Sequence, residues 1–259
     1  MGWMDFLPYF ERKTMTYCVA LNLKHGLIFA SDTRTNAGVD HIASFKKMTC
    51  FQNEGERNIF ILTSGNLATS QAVIERLQQD IHGQMEKTVL NVPTLFDVAD
   101  LIGVLSCQIA KQAAKVAQQE VVTFGSNFLV GGQIRGQAPK LYSVYSEGNC
   151  IAATEDTPFF QIGESKYGKP ILDRVVTYET ELAVALKAVL LSFDSSIRSN
   201  LSVGFPIDLM VYQVDSLRMP HGRRIHADDE YMLQICQEWG SGLVRLLMDF
   251  DDIPLDYTQ

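Results

Sequence analysis

No stretch of this 259-residue chain is apolar for the length of a membrane span. The first fourteen residues carry Asp5, Glu11, Arg12 and Lys13 and lack a long apolar core, which excludes a secretory signal there. Lysine and arginine number 22 against 30 aspartates and glutamates, a net charge of −8 with no basic stripe. A nucleic-acid partner is disfavoured, because little is present to neutralise phosphates. Neither Cys-x-x-Cys nor His-x-x-x-His occurs, so no metal and no cofactor are expected. The five cysteines, Cys18, Cys50, Cys107, Cys150 and Cys236, are scattered and odd in number. That pattern reads as a reduced, cytoplasmic protein. Internal repeats and linkers are also missing. With 46% hydrophobic residues, one domain with a sizeable core is expected over residues 16–259. Residues 1–15 stand apart, as a propeptide, an upstream start chosen in error, or a genuine extension.

What is present is organised around Thr16-Tyr17-Cys18-Val19-Ala20-Leu21-Asn22, a short apolar run that opens on threonine and follows Met15. Removing everything up to Met15 places a free α-amine and a hydroxyl on one residue, general base beside nucleophile. Leu23-Lys24-His25-Gly26 is a turn signal, and Leu27 to Ser31 is a second apolar run. An antiparallel hairpin of the two runs sets Asp32 beside Thr16. A loop over Thr33 to Gly38 follows, then Ser44-Phe45-Lys46-Lys47 leads into a run from Met48 to Phe51.

Ile59 to Ser64 reads as a strand that ends at Gly65-Asn66 and passes into a helix carrying Ala68, Val73, Leu77 and Ile81, stopped at Gly83. Such a junction presents unpaired N–H groups, and Gly65 admits close approach. It is either an oxyanion site or a structural turn. Thr94 and Asp97 open a second helix with a capping-box pattern, its stripe running Val98, Leu101, Ile102, Leu105, Ile109, Val116. Strands return at Phe128–Ile134, Leu141–Tyr145 and Phe159–Ile162. A glycine-bracketed strand-to-helix junction, Gly163 to Gly168, is followed by a helix from Thr180 to Ser195. A polar loop, Ser199 to Gly204, precedes a strand over Pro206 to Tyr212. A last helix runs from about Asp229 to Phe250, and the acidic end from Asp249 to Asp256 reads as surface or interface. Segregated runs of strands and helices indicate an α+β fold: two sheets face to face with helices outside.

Thr16, Gly26, Asp32, Arg34, Ala37-Gly38, Ser44, Lys46-Lys47 and Ser64-Gly65 together resemble the proteasome β-subunit pattern. Ser31 to Gly38, Ile162 to Arg174 and Ser202-Val203-Gly204 are similar to its bacterial Anbu, or ancestral beta subunit, branch. The likeness spans Thr16 to about Glu238. It implies a four-layer αββα sandwich, threonine-peptidase chemistry, and self-assembly into a homo-oligomeric ring or spiral. It further implies a peptide or unfolded-protein substrate and, by analogy, an unfolding ATPase. Carried over by position, Thr16 is the nucleophile, Asp32 and Lys47 are the pair beside it, Gly65 supplies the oxyanion N–H, and Ser202 belongs to the amine-side loop. Thr35, Phe45, Thr49, Thr63 and Leu67 would line the substrate pocket. Glu164 stands where proteasomes carry a serine, with Ser165 adjacent, and Ser199 replaces the usual aspartate.

The chemistry is consistent with that resemblance. A free α-amine titrates near pH 7.7–8.0 in model compounds, close to working pH. Lys47, paired with Asp32, would stabilise the developing alkoxide, and Arg34 would orient its loop. Alternatives remain at this level: Thr16 as an ordinary strand threonine in a silent ring subunit, or an amidase acting on small amides. Cys18, on the same strand face, is a small core residue or a site-lining one.

Overall fold

In the computed structural model, which describes residues 16–36 and 42–254, the N-terminal hairpin forms as its pattern dictates. Strand β1 (Tyr17–Leu23) pairs antiparallel with β2 (Gly26–Asp32), from Cys18 opposite Ser31 to Leu23 opposite Gly26. Both strands are buried on both faces, which is why each reads as a continuous apolar run. Tyr17, Val19, Leu21 and Leu23 meet helices, while Cys18 and Ala20 meet the second sheet. This is the two-residue alternation of a strand.

The first sheet continues through β10 (Phe159–Gly163) on one side of this hairpin, and β11 (Ile207–Gln213) and β12 (Arg223–Ile225) on the other. The second sheet is β5 (Met48–Asn53), β6 (Arg57–Gly65), β7 (Ser126–Ile134), β8 (Lys140–Val144) and β9 (Cys150–Ala152), in that order. A ribbon of β3 (Arg34–Asn36) and β4 (Ile42–Ser44) stands at one end. Phe29, Phe60, Leu62, Leu129 and Tyr212 fill the space between the sheets. Helices α1 (Leu67–His82) and α2 (Leu95–Ala117) cover the second sheet. Helices α3 (Lys169–Val175), α4 (Leu182–Ser199) and α5 (Glu230–Met248) cover the first. The four-layer αββα sandwich expected from the segregated pattern is therefore present. Among the described residues no helix is long and apolar enough to cross a membrane.

Gly83 ends α1, and Thr94 and Asp97 form a reciprocal capping box at the start of α2. Two details differ from the sequence reading. Val116, placed in the α2 stripe, is 80% exposed. The buried face of α2 includes Ala99, Gly103, Ser106, Ala110 and Ala114, because the chain at Gly148 lies against it: a Cβ on Gly103 would stand 2.1 Å from the Gly148 carbonyl oxygen. In α5 only Met232 is buried. Asp256 at the acidic end lies outside the described residues, as do residues 1–15, Ala37, Gly38 and His41.

The inter-sheet layer carries a cluster of three aromatic rings. Phe60 stacks on Phe29 with centroids 4.7 Å apart and tilts against Tyr212 at 5.7 Å. Phe60→Ala is expected to cost about 3–5 kcal/mol in urea denaturation, the range for emptying a buried phenylalanine site. A loss below about 1 kcal/mol would mean that the two sheets do not depend on this stack.

Candidate active site

The β1–β2 register delivers Asp32 to the start of β1. Its Oδ1 accepts the Tyr17 backbone N–H at 3.0 Å. The same oxygen accepts the Lys47 ammonium at 2.7 Å, and Nζ of Lys47 also donates to the Arg34 carbonyl. Asp32 and Lys47 are both buried. Lys47 reaches them from the other sheet: its own carbonyl takes the Thr63 N–H at 3.0 Å, one step before Met48 pairs with Leu62. Thr16, buried at the rim with 8% exposure, precedes Tyr17. The alternation of β1 places Thr16 on the face of Cys18, which is turned toward the sheet that carries Lys47.

Burial pushes the Asp32 carboxyl up to about 6, against the opposing pull of Lys47 and the Tyr17 N–H. Its Oδ2 has no hydrogen bond of ordinary geometry among the described residues, and the Gly204 N–H, like that of Tyr17, favours the charged carboxylate. Cys18 is also fully buried, with its thiol directed at the Thr63 carbonyl at 3.6 Å. Desolvation raises that thiol far above its ordinary range, so it stays protonated and inert.

Gly65 closes the opposite side. Its φ of +94° suits glycine, and a Cβ there would come 2.7 Å from the Gly125 carbonyl oxygen. Asn66 donates its N–H to Gly125 at 3.0 Å and caps α1 by accepting the Thr69 N–H. Since Thr63 donates to Lys47, strand alternation turns the Gly65 N–H to that same side, one step past the beginning of β5.

The carbonyl of Thr16 accepts the Glu164 N–H at 2.6 Å. Glu164 is buried, one oxygen taking the Lys166 N–H and the other the Asn200 side-chain amide, each at 2.7 Å. Asn200 in turn accepts the Ser202 N–H at 2.9 Å. Arg34 donates to the Leu201 carbonyl at 3.1 Å and packs over Gly204, so it braces this loop rather than only its own. The sequence reading missed Asn200. It aligned Ser199, which is exposed at the end of α4, and the next residue makes the contact; Ser165 is exposed as well. A buried carboxylate needs donors, and the amide beside Ser199 was the signal available.

Of the expected pocket residues, Thr49, Thr63 and Leu67 line one cavity of about 530 Å³, shared with Lys46, Gln71 and Glu75. Phe45 is half-buried and is not part of its lining. The Thr35 side chain lies outside the described residues.

The model of the proteasome subunit family matches residues 13–212. Among solved structures, the chain is similar to Anbu (ancestral beta-subunit) from Yersinia bercovieri, at 44% identity and a TM-score of 0.87, covering 92% of this chain and 100% of that one. The helical assembly of the Anbu complex from Pseudomonas aeruginosa gives 50% identity and a TM-score of 0.89, over 93% and 100%. Anbu from Hyphomicrobium sp. strain MC1 gives 43% and 0.83, over 92% and 100%. No curated protein matches the chain.

Two outcomes test the site as a physical unit. A folded value of about 6, above the ordinary 3.8, means the folded state holds the Asp32 proton more tightly than the unfolded chain does. Asp32 therefore supports the fold below about pH 4, and that support is lost as the pH rises to 6. Asp32→Asn should gain stability relative to the parent across that window; a difference that stays flat from pH 4 to 6 contradicts it. Asn200→Ala strips a donor from buried Glu164 and should cost about 1–3 kcal/mol in chemical denaturation. An unchanged midpoint would mean that water replaces the amide without loss.

Proposed function

The chain belongs to the proteasome subunit family and to its Anbu members, and from that premise we propose that it is a threonine peptidase acting inside a self-assembled homo-oligomer. The observation that carries the reading is the buried Lys47–Asp32 couple, held at 2.7 Å against the backbone of the residue after Thr16. Activity requires that residues 1–15 be removed, so that Thr16 carries its own α-amine; residues 16–259 then act as one domain.

In this reading the Thr16 hydroxyl attacks the peptide carbonyl, and the α-amine takes its proton. The Lys47 ammonium stabilises the developing alkoxide, with Asp32 holding the cation in place. The Gly65 N–H receives the oxyanion, where a donor fixed in advance is most effective. The α-ammonium so formed gives its proton to the leaving nitrogen, and the peptide bond breaks to an ester on Thr16 and a free amine product, with the α-amine neutral again. Water, deprotonated by the Thr16 amine, then releases the acid. Glu164 and Asn200 position the residue and its loop, and Ser202 belongs to that loop on the amine side. Thr49, Thr63 and Leu67 receive the side chain of the substrate.

Self-association is supported by α5. Leu233, Leu243, Val244, Leu246 and Leu247 on this helix are 42–67% exposed, an apolar surface of the kind that partners cover. The Pseudomonas aeruginosa relative is described as a helical assembly. All five cysteines are free, which suits a reducing compartment such as the cytoplasm.

Intact-mass analysis of the native protein should give a chain that begins at Thr16. Thr16→Ala should abolish peptide hydrolysis, by at least ~10³-fold for loss of a nucleophile, with the oligomer unchanged by light scattering. A mass that includes Met1 makes the chain a silent ring subunit, because a blocked amine cannot act as base. Turnover of small amides but of no peptide assigns it as an amidase.

A further inference from the structure

Lys46, the neighbour of the lysine in the site, stands at the junction of two cavities. One is the 530 Å³ cavity that holds Thr49, Thr63 and Leu67. The second, of about 710 Å³, is bordered by Lys46 and Thr49 too, and continues along Cys50, Met210, Arg223 and Arg224. It lies where β5 and β12, the outer strands of their sheets, leave open edges. Its lining includes three cations and one carboxylate, Asp208. Asp208 is occupied by Arg224 through two bonds of 2.7 and 2.8 Å, and Arg223 pairs with Asp229 at 2.7 Å.

Lys46 joins no ion pair among the described residues. Its charge falls on this second cavity: burial raises the Cys50 thiol to about 11, and Lys46 is the group that pulls it back. Glu75 lines the first cavity but not the second. The molecule as a whole carries −8 and repels an acidic ligand over most of its surface. A local cation in no ion pair among the described residues, beside methionine walls, is the exception.

We propose that this second cavity is a substrate subsite that takes a carboxylate side chain, close in sequence to the bond cleaved at Thr16; the proposal rests on the peptidase reading above. The methylenes of a glutamate would lie along Met48 and Met210, and its carboxylate would meet Lys46. Because Lys46 is exposed, the gain is that of a partly screened pair, about fivefold in kcat/KM.

The test uses peptides identical except for Glu, Gln or Lys at each of the four positions before the cleaved bond. kcat/KM is measured on protein that begins at Thr16, and binding by fluorescence anisotropy on Thr16→Ala protein. At one position Glu should exceed Gln by about fivefold and Lys by more, with the excess falling as salt rises. Lys46→Gln should bring the Glu-to-Gln ratio to about one, and Lys46→Glu should invert the Glu-to-Lys order. A ratio of one at every position, or a preference that survives Lys46→Gln, overturns the subsite. Peptides that bind with a Lys46-dependent preference for Glu, yet are never cut, overturn the peptidase reading and leave the subsite standing.

Discussion

Lys47 is the clasp on which this site depends. Its backbone belongs to one sheet, through the Thr63 N–H on its carbonyl. Its ammonium belongs to the other, through Asp32 and the Arg34 carbonyl. A buried ammonium without a partner costs several kcal/mol, and so does a buried carboxylate. Each group is therefore tolerable only where the other stands, and the two sheets must close at that end in one register. Tyr17 adds a third constraint, since its N–H occupies the same carboxylate oxygen. The arrangement beside Thr16 is thus also what holds the open end of the sandwich. Substitutions there act on stability and site geometry together.

How far this could be read in advance depends on the range of each interaction. The hairpin was legible because a turn signal between two apolar runs places Asp32 beside Thr16 by simple counting. The helices over the second sheet were legible from capping residues at Thr94 and Asp97 and from Gly83. The phase of the α2 face was only partly so. The stripe of large residues holds at Val98 and Ile102 but not at Val116, and where the chain at Gly148 comes against the helix it is Gly103 and small neighbours that are buried. Contact distance between elements, absent from any local pattern, decided that case.

The amine-side loop illustrates a different limit. Glu164 and Asn200 are separated by 36 positions, and their meeting depends on where α4 ends. A one-residue difference in that end moves the contact from Ser199 to Asn200. Matching by position along a pattern cannot resolve a single residue at a helix terminus, where the chain leaves helical geometry. The chemical requirement is more robust than the position. A buried carboxylate beside Thr16 must find donors, and a side-chain amide supplies one where a hydroxyl pointing to solvent does not.

The same reasoning explains why threonine and not cysteine is the nucleophile to consider. Cys18 lies near the Lys47–Asp32 couple, strand alternation sets Thr16, just before β1, on the same face, and Cys18 is intrinsically the stronger nucleophile of the two. Complete burial reverses their order. It raises the Cys18 thiol beyond the reach of any neighbouring base, despite the pull of Lys47, and the surrounding apolar side chains leave no room for a carbonyl carbon to approach. Thr16 sits one strand step farther out, at the rim; in the peptidase reading it needs no ionised resting form, because a base carried on its own backbone would remove the proton during attack. Position along a single strand separates a core residue from one at the rim.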